Sequence, residues 1–332
     1  MGEEKVFPED YYSLDTEGLG SNIRDMPLMI REAMNIKIDI EKEFLDGRLF
    51  IAGMGGSGIA GELLRDYSRN NRVIPVHEYE IKDVTKNDVV VIISYSGNTE
   101  EMLSCFKSVI NTGAKVLVIT SGGRLEKLAK NYRRSIIKLK TGYQPRAALP
   151  YMFVPLLYVA RKMGIISDFE EQLKKGIDSL IKSDLRKKAL ELLDKFKEPF
   201  IIYGTPLMRS VAYRWKTQFN ENAKMAAFFN QIPEMNHNEL ESLDSIKNYT
   251  VVFIGSDKDH FRVRKRISIL RNLYERYTSV ILFETKEELL ISMFKMIQLG
   301  DWITYFLGLK KGIDPSKVPI IEGFKEKMGP FI

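Results

Sequence analysis

One strand, turn and helix, at residues 89–101, constrains the fold of this chain more than any other stretch: VVVIISYSGNTEE. It begins with five consecutive β-branched apolar residues, and such a run without polar alternation is typical of a strand buried on both faces of a parallel sheet. A turn of small and hydroxyl-bearing residues follows. Glu100 and Glu101 then open a helical pattern, at the position where the helix dipole stabilises acidic side chains. The stretch therefore predicts a buried parallel strand that leads directly into a helix.

The turn carries more hydroxyl groups than a helix N-cap requires. Ser94, Ser96 and Thr99 surround Gly97, so three hydroxyls and several backbone N–H groups would lie at one helix N-terminus. A helix N-terminus of this kind binds a phosphate monoester without a metal ion. An ordinary capping turn accounts for one Ser or Thr, but not for three around a glycine. We therefore predict that this turn binds phosphate.

Strands alternate with helical segments in the rest of the chain, which predicts right-handed βαβ units and parallel sheets. In the first half the predicted strands are 48–52, 73–79, 89–93, 115–120 and 135–139. In the second half they are 199–203, 250–254 and 279–283. Overlaying the halves matches RLFIAG with PFIIYG, VVVIISYSG with TVVFIGSD, and KVLVIT with SVILFE. The spacing between matched segments drifts, so the duplication is degenerate, and only the first copy keeps the serine and threonine turn.

These patterns predict an α/β fold of two doubly wound parallel sheets related by degenerate duplication. A chain of 332 residues is long enough for two domains with separate cores. Two prolines flank the passage into a helical segment that begins near residue 151. We place the domains at residues 1–153 and 154–332.

A glycine-rich turn after the first predicted strand leaves an alternative open. Gly53, Gly55 and Gly58 fit the G-x-G-x-x-G pattern of dinucleotide-binding folds, and acidic residues follow about 20 positions later, where a ribose-binding acid would fall. A nucleotide-dependent oxidoreductase of the Rossmann type is therefore one interpretation. However, Ser57 adds a further hydroxyl, and both turns would lie at the carboxyl ends of neighbouring strands. One anionic ligand contacted by both turns is the simpler interpretation.

Composition excludes several other classes of protein. The formal net charge is +6, but acidic residues are interspersed with the basic ones. Because no long basic stripe with aromatic residues is present, we expect no nucleic-acid partner. The longest apolar run, 147–160, contains two prolines and is too short to cross a bilayer. The acidic N-terminal residues do not form a secretory signal, and the single cysteine suits a reducing compartment. We expect a cytoplasmic protein without a membrane partner.

Six motifs lie in order along the chain: GMGGSGIAG (53–61), SYSGNTEE (94–101), PRAALP (145–150), FNENAK (219–224), PEMNHNEL (233–240) and IDPSKVPIIEGFK (313–325). Together they resemble those of one family, the archaeal-type bifunctional phosphoglucose/phosphomannose isomerases. The resemblance spans nearly the whole chain and implies two sugar isomerase (SIS) domains. It further implies a homodimer, with the active site shared between subunits, that interconverts glucose 6-phosphate, mannose 6-phosphate and fructose 6-phosphate through an enediolate. No metal or other cofactor is implied.

The same resemblance implies roles for particular residues. Those that would bind the substrate are Ser94, Ser96 and Thr99 at the phosphate, and Gly55, Gly56 and Ser57 at the sugar. Those that would act in catalysis are Arg146 on the enediolate, Glu221 as the base, and His237 and Lys325 in ring opening.

Residue chemistry agrees with these roles and leaves two alternatives. Aldose–ketose isomerisation needs a base near C1 and C2, a group that opens the ring, and positive charge near the enediolate. Glu221 follows an amphipathic helix and could equally be a solvated carboxylate at the helix end, while His237, in a polar turn, is the best acid/base candidate of the three histidines. Since histidines and carboxylates do not cluster, a metal-dependent isomerase is not expected. A non-catalytic SIS module that senses a sugar phosphate is the alternative within this fold.

Overall fold

The computed structural model describes residues 9–36, 38, 46–329 and 331. The strands are β1 (Leu49–Gly53), β2 (Val73–Val76), β3 (Val89–Ile93), β4 (Lys115–Thr120), β5 (Ser135–Lys138), β6 (Phe200–Gly204), β7 (Ala227–Gln231), β8 (Thr250–Ser256) and β9 (Ser279–Thr285). The α-helices are α1 (Glu9–Tyr12), α2 (Leu19–Arg24), α3 (Met26–Ala33), α4 (Gly55–Ser68), α5 (Glu100–Val109), α6 (Gly123–Asn131), α7 (Leu149–Lys162), α8 (Glu170–Lys182), α9 (Leu185–Leu192), α10 (Arg209–Glu221), α11 (Phe261–Tyr274), α12 (Leu289–Lys310) and α13 (Pro319–Met328).

The chain forms two compact units. The first unit is Asp25–Ile177, and the second unit combines the chain through Arg24 with the chain from Asp178 onward. This division differs from the predicted boundary after residue 153, which falls inside α7. Because α7 packs against α3 and α4, it belongs to the first unit. Helices α1 and α2 pack against α12, which draws the N-terminal segment into the second unit.

The first unit is built on a parallel sheet with strand order β2-β1-β3-β4-β5. Strand β3 lies at its centre, where Val90 is opposite Phe50 on β1 and Val116 on β4. Every residue of β3 is buried. The apolar run without alternation therefore predicted this strand and its burial correctly, since a central parallel strand is covered by helices on both faces.

The second unit contains a parallel sheet with strand order β7-β6-β8-β9, which repeats the order β2-β1-β3-β4. The overlaid sequence segments lie at equivalent places: β6 corresponds to β1, β8 to β3, and β9 to β4. These correspondences confirm two doubly wound parallel sheets related by duplication. Within the described residues, the second sheet has no strand equivalent to β5.

The longest helix supplies much of the core of the second unit. Helix α12 is 22 residues long and almost all of its residues are buried. It packs against α9 and α10. A buried ion pair joins it to α10, with Arg214 Nη2 2.7 Å from Asp301 Oδ2. None of the helices in the described residues is both long and apolar enough to cross a membrane.

Candidate active site

Two turns of the first unit meet where the order of its strands reverses. The glycine turn follows β1, whose crossover helix leads to β2, and the turn at residues 94–99 follows β3, which leads to β4. Ligands bind at such a switch point in open α/β sheets. The turns contact each other, because the Tyr95 backbone N–H donates to Ser57 Oγ at 3.4 Å. The prediction that the two turns lie side by side is therefore correct.

The turn at residues 94–99, the hydroxyl turn, is ordered by hydrogen bonds of its own side chains. Ser94 is buried, and its Oγ lies 3.0 Å from Thr99 Oγ1 and accepts the Gly97 N–H at 3.1 Å. The exposed Ser96 accepts the Asn98 N–H at 3.3 Å. Thr99 is the N-cap residue of α5, but its side chain makes no capping hydrogen bond. Thr99 therefore does not occupy the first N–H groups of α5 with its side chain, and such groups at a helix N-terminus can donate to an anion.

A second glycine-containing turn, which follows β4 and includes Gly122, packs against the hydroxyl turn and fixes its position. Gly97 has φ +69°, and a Cβ there would lie 1.8 Å from the Gly122 carbonyl oxygen, so only glycine fits. The Gly97 carbonyl accepts the Leu125 N–H at 2.8 Å. Asn98 Oδ1 accepts the Arg124 N–H at 3.0 Å, which caps α6. The sequence shows glycines at this turn but does not reveal that it supports its neighbour, because the contacts join distant segments.

The structure brings Arg146 to the glycine turn. A Cβ at Gly56 would lie 2.8 Å from the Arg146 Cα, so the two backbones are in direct contact. Arg146 is 4% exposed. Gly55 begins α4 next to this contact. Thus the predicted site residues Gly55, Gly56, Ser57 and Arg146 lie together within the first unit.

His77 is a supporting residue that sequence reasoning did not assign to the site. Its Nδ1 lies 2.7 Å from the Gly53 carbonyl oxygen and its Nε2 lies 2.9 Å from Glu62 Oε1. Both partners are acceptors, so the ring makes both bonds only when both nitrogens carry a proton. The hydrogen bond to Glu62 raises the pKa of His77, helped by the Gly53 carbonyl and opposed by partial burial.

The position of His77 also explains the last glycine of the G-x-G-x-x-G pattern. A Cβ at Gly58 would lie 2.9 Å from the imidazole Cε1. The ring therefore needs a residue without a side chain at this position. Contacts within the chain account for this glycine without a dinucleotide.

In the second unit, Glu221 borders a cavity of about 540 Å³. Glu221 is the last residue of α10 and is half-buried. Lys224 and Met225 extend this wall, and residues 313–314 and 317–321 form the opposite wall. The structure thus brings the predicted base together with the segment that begins α13.

The other two predicted catalytic residues of this unit do not line that cavity. His237 ends a short 3₁₀ helix (Glu234–His237), is exposed, and its ring makes no hydrogen bond to the described residues. The loop that carries His237 is bonded to the neighbouring strands. Glu239 accepts hydrogen bonds from Tyr203 Oη on β6 and from Asn230 Nδ2 on β7, each at 2.5 Å. Lys325 is exposed on α13, a helix without a buried residue.

In the part of the chain that the structure describes, no three His, Cys, Asp or Glu side chains are grouped as metal ligands would be. The single cysteine, Cys105, is buried on α5, and burial raises the pKa of its thiol to about 12.

Comparisons with known proteins agree with this geometry. The model of the SIS domain matches residues 46–132, and the model of the bacterial phospho-glucose isomerase C-terminal SIS domain matches residues 183–328. A bifunctional phosphoglucose/phosphomannose isomerase from Caldicellulosiruptor bescii is 33% identical, over 92% of this chain and 98% of its own. A protein with the same name from Thermoplasma acidophilum is 36% identical, over 84% and 89%.

Structural similarity extends to more distant proteins. The tagatose-6-phosphate ketose/aldose isomerase from Escherichia coli superposes with a TM-score of 0.68 at 17% sequence identity, over 92% of this chain and 96% of that structure. At this identity the similarity establishes the fold alone. The near full-length relatives, the two SIS-domain matches and the paired parallel sheets lead to one conclusion. This chain belongs to the bifunctional phosphoglucose/phosphomannose isomerase family.

Proposed function

We propose that the protein interconverts glucose 6-phosphate, mannose 6-phosphate and fructose 6-phosphate by proton transfer through an enediolate. The observation that carries the proposal is the hydroxyl turn at the N-terminus of α5, combined with membership of the family. Ser94, Ser96 and Thr99 place three hydroxyls at the N-terminus of α5, where the Thr99 side chain makes no capping hydrogen bond. A phosphate dianion placed there receives charge-assisted hydrogen bonds and lies at the positive end of the helix dipole.

The sugar would extend from the phosphate over the glycine turn. Gly55 and Gly56 offer backbone without side chains, and Ser57 offers a hydroxyl close to the turn after β3. Arg146, buried against Gly56, would place its guanidinium near the reacting carbons. A fixed positive charge stabilises the oxygen that becomes negative in the enediolate.

The proton transfer itself needs a carboxylate that works in both directions. Glu221 would remove the proton from C2 of the aldose and return it to C1, so one base serves both steps. Half-burial beside a cavity suits this role, because a base works best where water is partly excluded. His237 would exchange the proton needed to open the hexose ring, and Lys325 would assist on the ring oxygen.

We further infer a cytoplasmic homodimer whose active site is shared between subunits. The single buried cysteine suits a reducing compartment. His237 is exposed and does not line the cavity at Glu221, as expected of a group that serves the site of a partner subunit.

A direct assay separates this proposal from its alternatives. The purified protein is mixed with fructose 6-phosphate, without added nucleotide, and glucose 6-phosphate and mannose 6-phosphate are measured. We expect both aldoses to form, whereas a sugar-phosphate sensor would form neither and an oxidoreductase would require nucleotide.

Glu221→Gln keeps the size of the side chain and loses the base, so turnover should fall by at least about 10²-fold. Equal turnover by wild type and Glu221→Gln would contradict the mechanism.

A further inference from the structure

Lys224 makes an unusual set of contacts beside the cavity at Glu221. Its Nζ donates to three backbone carbonyl oxygens: Glu221 O at 2.5 Å, Lys317 O at 2.6 Å and Asp314 O at 3.2 Å. An ammonium has three N–H donors and no acceptor. The three carbonyls match these donors, and they belong to two segments that are far apart in sequence.

The first of these segments is the C-terminal end of α10. Lys224 has φ +51°, in the left-handed region, and this reversal turns its side chain back over the helix end. The Met225 N–H donates to the Phe219 carbonyl at 3.0 Å and closes the same turn. A cation at a helix C-terminus is favoured by the helix dipole and by unpaired carbonyls. Lys224 therefore holds the backbone of Glu221 directly.

The second segment, residues 314–317, is a turn held by side-chain hydrogen bonds. Asp314 Oδ1 accepts the Ser316 N–H at 2.8 Å and the Ser316 hydroxyl at 2.5 Å. Asp314 Oδ2 accepts from Thr16 Oγ1 at 2.6 Å. These bonds fix the turn, and two of its carbonyls point at the Lys224 ammonium.

This turn leads directly into α13. Val318 is the N-cap residue of α13 and lines the cavity together with Pro319. Helix α13 has no buried residue of its own. Its position therefore depends on where the preceding turn is held, and Lys325 lies on this helix.

We infer that Lys224 is a positioning residue for isomerisation: its ammonium ties the backbone of Glu221 to the turn that begins α13. The inference rests on the proposed function, in which Glu221 is the base and Lys325 assists ring opening. Because three carbonyls occupy its donors, Lys224 acts through these segments rather than by touching the substrate. The tie sets the distance across the cavity and, with it, the access of water to Glu221.

The test compares Lys224→Met and Lys224→Arg with the wild-type protein. Methionine keeps the length of the side chain and removes all three donors, so kcat should fall by about 10²-fold, the loss expected when a catalytic group moves by about 1 Å. The KM for hexose 6-phosphates should stay nearly unchanged, because the phosphate turn lies in the other unit. Arginine retains donors at this position and should recover part of kcat. Lys310→Met is the matched control, since Lys310 pairs with the exposed Asp194 at 3.0 Å and lies outside the cavity lining.

Two further measurements separate positioning from simple loss of folded protein. In deuterated water, Lys224→Met should incorporate more solvent deuterium per turnover than wild type, because water then reaches the proton held by Glu221. This ratio does not depend on the fraction of active enzyme. Hydrogen exchange at residues 313–328 should accelerate in Lys224→Met and not in Lys310→Met.

The outcomes distinguish this inference from the proposed function. If wild type does not isomerise hexose 6-phosphates, the proposed function fails, while hydrogen exchange still tests the tie. If Lys224→Met keeps the wild-type kcat and deuterium ratio, or leaves exchange at residues 313–328 unchanged, the inference is overturned. Should Lys224→Met not fold, the same comparisons are made with Lys224→Gln, and unchanged values there overturn it equally.

Discussion

The hydroxyl side chains at residues 94–99 have two roles in the structure: one maintains the shape of the turn, and the others can contact a ligand. Ser94 is buried and bonded to its own turn, so it maintains the shape of the turn as well as facing the site. Ser96 and Thr99 are more exposed, and each hydroxyl makes one hydrogen bond within the turn, which leaves it capacity for a further bond to a ligand. Loss of these two should therefore affect ligand binding more than folding.

We predict that Ser96→Ala combined with Thr99→Ala raises KM for every hexose 6-phosphate. Each lost charge-assisted hydrogen bond costs about 1.5–3 kcal/mol, so the two together should raise KM by at least about 10²-fold. Steady-state kinetics measure the effect, and Ser104→Ala, later on the same helix, is the control. An unchanged KM in the double variant would contradict phosphate binding at this turn.

His77 gives the stability of the first unit a dependence on pH. Because Glu62 raises the pKa of His77 above its value in the unfolded chain, the protonated ring stabilises the fold fully below about pH 6.5. This contribution is lost as the pH rises through the raised pKa. We predict that His77→Asn lacks this part of the pH dependence, because asparagine does not titrate. Urea unfolding of both proteins between pH 5 and about 9 tests this, and parallel curves would contradict it.

At the scale of single elements, patterns with strong local signals were predictable. The run at β3 favoured a strand, since five consecutive β-branched residues suit extended backbone, and burial on both faces is typical of a central parallel strand. Strand β7 was missed, because four of its five residues are only partly buried or exposed and it lies at the edge of its sheet. The compact units also divide at other residues than the predicted domain boundary, because α7 packs on α3 and α4 through tertiary contacts that no local sequence pattern shows.

Helix α10 places Glu221 through contacts that no local pattern reveals. Arg214 and Asp301 join α10 to α12 and are 1% and 3% exposed. Breaking a buried pair on one side leaves an uncompensated charge, which costs about 3–5 kcal/mol. We predict that Arg214→Met destabilises the second unit by this amount, measured by urea unfolding.

Two further variants test the origin of that loss. Arg214→Met combined with Asp301→Leu should recover most of the stability, because no buried charge then remains. Lys310→Met, which breaks an exposed pair, should cost less than about 1 kcal/mol. If the double variant is as unstable as Arg214→Met alone, packing rather than charge explains the effect.

At the scale of the whole molecule, the residues proposed for catalysis divide between the two units. Arg146 lies in the first unit, whereas Glu221, His237 and Lys325 lie in the second. The motifs predicted the family correctly, and the residue roles that they imply stay predictions. They could not predict supporting contacts such as His77 with Gly53 or Lys224 with Lys317, because these depend on the folded backbone rather than on neighbouring residues.

A shared active site predicts complementation between inactive variants. Glu221→Gln and His237→Ala are each expected to lose most activity as pure dimers. After random subunit exchange of equal amounts, about half of the dimers are mixed and each carries one intact site, so about a quarter of wild-type activity should return. Activity is measured after exchange has been demonstrated with tagged subunits. No recovery would mean that both residues act on one chain.

The interleaved course of the chain has a consequence for its synthesis. The first unit is continuous, from Asp25 to Ile177, and can fold as soon as that stretch has left the ribosome. The second unit needs segments from both ends: the Ile23 carbonyl accepts from Gln298 Nε2 at 2.8 Å, and Thr16 bonds to Asp314. Helices α1 and α2 therefore complete their packing only after nearly three hundred further residues have been translated. They are synthesised before the first unit but packed after it, because the segments around Gln298 and Asp314 complete the second unit.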